Sequence, residues 1–132
     1  MRSCGLWRTP RRLLAVALDE HDHPRPPVSV PLTDDSRWGL LVWLRSLGHR
    51  TIVLTDSLVG DDPIGGMALA EGVRLWVAPA SMVEGVRHAT RLNERPPKHT
   101  AELLARWPRA PGLRTYLRTV VPVQDDRQLA LW

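Results

Sequence analysis

The sequence predicts an α/β domain in which helices flank a β-sheet, and three observations predict it. Apolar or β-branched runs recur at residues 13–18, 51–55 and 73–78, at the length of buried strands. Between them lie stretches with helical spacing or helix-capping residues, and Gly or Pro punctuates the junctions. Strands joined through single helices of about ten residues pair in parallel by crossover connections, which gives a layered architecture. A chain of 132 residues with 43% hydrophobic residues is one domain with enough apolar side chains for a core.

The elements follow in order. Residues 1–12 are Arg-rich and lack the apolar stretch and cleavage site of a signal peptide, so they read as a basic arm. The first strand is the wholly apolar run 13–18, suited to a central strand covered on both faces, with Asp19 at its tip. Residues 19–27 are polar and proline-rich, hence loop. Residues 28–32 alternate like a half-buried strand, and Pro31, with no amide to donate, puts that strand at an edge or makes it end there. Asp34 and Asp35 are N-cap candidates for a helix bearing Leu40, Leu41, Leu44 and Leu47, closed by Gly48.

Residues 51–55 form a buried strand that ends at Asp56. Asp62 and Pro63 start a short helix that Gly72 closes. After the strand 73–78, Pro79 breaks the chain, and Ser81 and Glu84 have capping-box spacing at the head of a helix reaching about Leu92. A further helix spans residues 98–107 and stops at Pro108. Residues 115–123 suit either a strand or a short helix. The expected organisation is an arm at 1–12, a domain at 13–108 and an extension at 109–132.

Composition narrows the function classes. Eighteen Lys and Arg against 14 Asp and Glu leave a net charge of +4, a weak preference for a polyanionic partner. The single cysteine, Cys4, cannot make an internal disulfide, which suits a cytoplasmic protein. No apolar run approaches the roughly 18 residues of a membrane span. The run Asp19-Glu20-His21-Asp22-His23 has metal-ligand residue types but no paired spacing, and a solvated turn accounts for it. Asp34-Asp35 are explained as N-caps rather than as a receiver-type acidic pocket, and Gly65-Gly66 lacks the lysine of a phosphate loop. Of the six tryptophans, Trp38, Trp43, Trp76 and Trp107 sit in periodic segments and read as core or interface, whereas Trp7 and Trp132 suit partner contacts.

From Val30 to Trp107 the order and spacing of several stretches carry a resemblance. They are residues 30–33 leading into 39–44, then 51–54, 73–79, Arg91-Leu92 and finally Leu104-Ala105-Arg106. In these the chain resembles the N-terminal RuvC-like, RNase H-like domain of DEDD-type insertion-sequence transposases. The resemblance implies a mixed sheet with flanking helices, two Mg²⁺ ions held by four acids, DNA or RNA as partner, and self-association. The family's C-terminal serine-bearing domain has no counterpart among these residues.

In that family the first acid ends the opening strand, where Asp19 stands. The second is a Glu directly after the Val-Val-Leu strand, where this chain has Thr55 followed by Asp56. The last two form a Lys-Thr-Asp-x-x-Asp-Ala motif, absent from residues 94–102. His99 and Glu102, one helical turn apart, are the stand-ins, although the register set by Leu104-Ala105-Arg106 puts Glu102 two positions past the family's last Asp. The expected set is therefore Asp19, Asp56, His99 and Glu102 as catalytic residues, with Asp19, Asp56 and Glu102 holding metal. Two ions need several oxygen ligands, so displaced acids imply lost or reduced cleavage. Arg87, Arg91, Arg95 and Lys98 recur every three or four residues and form the candidate phosphate-tracking ridge. Two alternatives stand beside a diverged nucleic-acid-binding domain. One is an active Mg²⁺-dependent nuclease using the displaced acids; the other is a protein-interaction module without nucleic acid.

Overall fold

The computed structural model describes residues 3–121. Its first element lies within the stretch expected as an arm. Strand β1 (Cys4–Arg8) turns through Thr9 into β2 (Arg12–Ala17), and the two pair antiparallel with Cys4 opposite Ala17. The Thr9 amide donates to the Arg12 carbonyl at 2.9 Å, and the Thr9 hydroxyl accepts from the Arg12 amide at 3.1 Å, closing a tight hairpin. The apolar run at 13–18 is thus the second strand of a hairpin rather than the opening strand.

Strand β3 (Val28–Pro31) pairs antiparallel with β2 and lies at the sheet edge, which tolerates Pro31. Helix α1 (Asp34–Ser46) leads to β4 (Thr51–Thr55), which is parallel to β1. Helices α2 (Asp56–Asp61) and α3 (Ile64–Ala70) lead to β5 (Arg74–Ala78), parallel to β4. Then come α4 (Ala80–Ala89), a 3₁₀ turn (Leu92–Glu94), α5 (Lys98–Arg106), a second 3₁₀ turn (Trp107–Arg109) and α6 (Pro111–Arg114). Strand β6 (Arg118–Val120) returns antiparallel to β5, inside the segment whose type the sequence left open; residues 122 and 123 lie outside the described residues. The sheet is mixed, in the order β3-β2-β1-β4-β5-β6.

Alternation along the strands builds a core on each face. Cys4, Leu6, Leu13, Ala15, Ile52, Leu54, Leu75 and Val77 meet α1, α2 and α3 on one side. On the other, Val53, Ala78 and partly buried Trp7 and Trp76 meet Val83 of α4, Leu104 of α5 and Trp107. Burial in the first core pushes the Cys4 thiol far above its ordinary pKa. Trp107 is fully buried and donates its indole N–H to the Leu113 carbonyl at 2.9 Å, tying α6 to the core. Helix α5 lies tight on β1, because Gly5 leaves no side chain between the strand and the α5 backbone at Ala101 and Ala105.

Several helix starts differ from the sequence reading. Thr33, not Asp34 or Asp35, caps α1 by accepting the Ser36 amide at 3.2 Å; both acids fall in the first turn, where the helix dipole favours them. Thr55 likewise caps α2, an extra helix, through the Leu58 amide at 3.2 Å. No capping box forms at Ser81 and Glu84. Helix α4 starts at Ala80, and the Ala80 amide donates to Asp56 Oδ1 at 3.0 Å. Asp62 sits between α2 and α3 with its carboxylate buried, and Arg37 of α1 meets it through two hydrogen bonds of 3.0 Å.

Candidate functional site

The sheet directions separate the predicted acids. Ala17, at the end of β2, is level with Cys4 at the start of β1, and Cys4 is level with Ile52 near the start of β4. Asp19 therefore lies beyond the amino-terminal ends of β1 and β4, while Asp56 follows the carboxyl end of β4. At about 3.3 Å per residue the two stand on the order of 20 Å apart along the strand direction. No metal ion is shared over that distance, so Asp19 and Asp56 do not form one metal site. The run 13–18 misled because a fully apolar strand resembles a central one wherever both its faces are covered.

Each predicted acid has another local task. Asp19 Oδ1 accepts the His21 and His23 amides at 2.8 and 2.9 Å, closing the turn after β2. Those bonds, that from His23 foremost, hold its carboxyl below the usual aspartate range. Asp56 satisfies the first amide of α4. His99 and Glu102 share a face of α5 and border a groove with Val16, Pro24 and Pro27, on the β2 side of the helix. Glu102 is 3.7 Å from Arg106. Among the described residues, the predicted donors Asp19, Asp56 and Glu102 are not brought together as a two-Mg²⁺ centre would require. Among the described residues no three of His, Cys, Asp and Glu gather closely enough to hold a metal ion.

The basic residues divide as well. Helix α4 ends at Ala89 and Arg91 takes a left-handed conformation at φ 60°, so a single helical ridge does not form. Arg91, Arg95 and Lys98 are exposed around the following turns. Arg87 instead points inward. Its Nε donates to the Thr100 hydroxyl at 3.1 Å, its Nη1 donates to both Glu84 oxygens at 2.8 and 3.0 Å, and its guanidinium carbon lies 4.7 Å from the centre of the Trp7 ring.

At the carboxyl ends of β1 and β4 the sheet opens into a crevice of about 320 Å³ lined by Trp7, Arg8, Thr9, Thr55, Ser57 and Asp61, among others. From β1 the chain turns to one side, into β2; from β4 it proceeds to the other, toward β5. A crevice at such a divergence, outside the carboxyl ends of parallel strands, is where open α/β sheets characteristically bind ligands. Its walls are an indole, two hydroxyls joined at 3.0 Å (Thr55 and Ser57), and a guanidinium whose Nε is 3.5 Å from Asp62. The sequence reading named Thr55 only as a lost acid. The signal for the rest was the short alternation Cys4-Gly5-Leu6-Trp7 before the turn at Thr9 and Pro10.

No protein-family model matches the chain, and no curated protein matches it in sequence. Among the described residues no helix is long and apolar enough to cross a membrane. The fold and crevice define an α/β domain with a mixed six-stranded sheet and a small polar-aromatic cleft at its centre.

Proposed function

We propose that this chain is a diverged RNase H-like domain, akin to the RuvC-like domain of DEDD-type transposases, which binds DNA or RNA and does not cleave it. The observation that carries the reading is the sheet itself. Three antiparallel strands, β3-β2-β1, continue through β4 and β5 parallel to β1, the strand plan of RNase H-like domains. In that plan β1 is the opening strand, and it carries no acid. The position after the β4 apolar run is Thr55, and the family's last acid falls on Thr100, which Arg87 engages. The Arg87 guanidinium, paired with Glu84 and bonded to Thr100, occupies the place where the family's last acid would hold metal, which supports a domain without hydrolysis. Exposed Arg91, Arg95 and Lys98 supply phosphate contacts, and self-association is the further partner that the resemblance implies.

The test pairs cleavage with binding. Purified protein incubated with branched and single-stranded DNA or RNA in Mg²⁺ or Mn²⁺ is expected to leave them intact. It is expected to retain them with an affinity that falls as salt rises. Replacing Arg91, Arg95 and Lys98 together by Ala should flatten the log-log salt slope by about 2. Cleavage abolished by Asp56→Ala or Asp19→Ala would establish the active-nuclease alternative. A lack of salt-dependent retention would leave a protein-interaction module.

A further inference from the structure

We infer that the crevice between β1 and β4 receives one unpaired nucleobase, stacked against Trp7. This rests on the nucleic-acid reading above and names the contact at its centre. The volume of about 320 Å³ is at the lower end for ligand clefts, suited to one small planar group. Trp7 offers an aromatic wall, and the Arg87 guanidinium carbon, 4.7 Å from its ring centre, braces the indole together with Glu84 and Thr100. A ring held this way loses little freedom when a second ring stacks on it.

The polar groups distinguish a base from a bare phosphate. A phosphate site needs uncompensated positive charge, but Arg8 at the crevice already faces buried Asp62 at 3.5 Å, and Asp61 adds a negative charge to the lining. The exposed Ser57 hydroxyl, held by the Thr55 hydroxyl that caps α2, instead offers a mixture of donors and acceptors together with Asp61 and Arg8. That mixture matches the edge of a heterocyclic base, whose donors and acceptors are exposed only when it is unpaired. Arg91, Arg95 and Lys98 then hold the sugar-phosphate chain while the crevice takes a base from a single-stranded end or loop.

The experiment compares fluorescence-anisotropy titrations of the full chain with 12-mer single-stranded DNA, the same sequence as RNA, and an abasic sugar-phosphate oligomer of equal length. Base-bearing oligomers are expected to bind roughly 5- to 150-fold more tightly than the abasic one, the worth of one aromatic stack. Trp7→Ala should erase that gap without altering the salt slope, and Trp7→Phe should keep most of it. Ser57 is exposed, so Ser57→Tyr fills the crevice from outside the core and should erase the gap even if Trp7→Ala fails to fold. The DNA and RNA arms identify the source, and a gap in either supports the site. Equal affinity for base-bearing and abasic oligomers, or a gap that survives Trp7→Ala or Ser57→Tyr, overturns this inference alone. Failure to bind any oligomer overturns it together with the reading beneath it.

Discussion

Replacing Gly5 by alanine tests how closely the helix carrying Thr100 is pressed onto the central strand. A Cβ at Gly5 would overlap the Ala101 carbonyl oxygen and lie 2.5 Å from the Ala105 amide nitrogen, whereas ordinary contact begins near 3.4 Å. Both obstacles are helix backbone, so no rotamer change relieves them. Helix α5 would have to retreat by about 1.5 Å across a buried interface that includes Ala101, Leu104 and Ala105. Overpacking of this kind costs about 3 kcal/mol, a large share of a marginal domain's stability. Thermal and urea unfolding followed by far-UV circular dichroism are the assay. The expected result is a melting temperature lower by roughly 10 °C for a domain of this size. A Gly5→Ala protein with a midpoint within about 2 °C of the parent would refute the inferred strand-to-helix contact.

Two further predictions concern charge. Among the described residues, Arg37→Met leaves the buried Asp62 carboxylate with Arg8 at 3.5 Å as its remaining cationic neighbour, and the expected loss is about 3–5 kcal/mol in urea unfolding. The double variant Arg37→Met, Asp62→Leu should recover part of that loss, and a single-variant loss below about 1 kcal/mol would contradict the buried pair. For Asp19, accepted amides lower the folded-state pKa, so its stabilisation is complete above the unfolded aspartate pKa of about 4. It is lost as pH falls through the lower folded value. Carboxyl ¹³C titration should place the Asp19 midpoint below that of a free aspartate, and a midpoint at or above it would rule out the turn.

Much of the fold was legible in the residues. The runs 51–55 and 73–78 became β4 and β5, in parallel as their separation by helices required, and Pro31 marked an edge. Gly48 and Gly72 adopt positive φ at the helix exits, 78° and 80°. The hairpin was missed because β1 is five residues long, flanked by arginines, and owes its burial to α5, which lies about a hundred residues later in the chain. Its omission shifted every strand assignment by one. Asp56 and Glu84 were assigned their chemistry from spacing along the chain. Their partners, Ala80 and Arg87, are set by the packing of α4 against the end of β4 and by helical rotation.

By itself the sequence determined most of the elements, β3 to β5 with α1, α3, α4 and α5, and where turns end them, because those choices follow from periodicity and local backbone preference. It also determined that the Lys-Thr-Asp-x-x-Asp-Ala motif of the transposases it resembles is absent from residues 94–102. Only the tertiary structure decided that β1 is central and that Asp19 and Asp56 lie at opposite ends of the sheet. Strand direction and neighbour depend on contacts between distant segments, and a strand's own residues are nearly indifferent to which end of the sheet they face. The same long-range packing placed Arg87 over Trp7 beside the central crevice, an arrangement that no local spacing encodes.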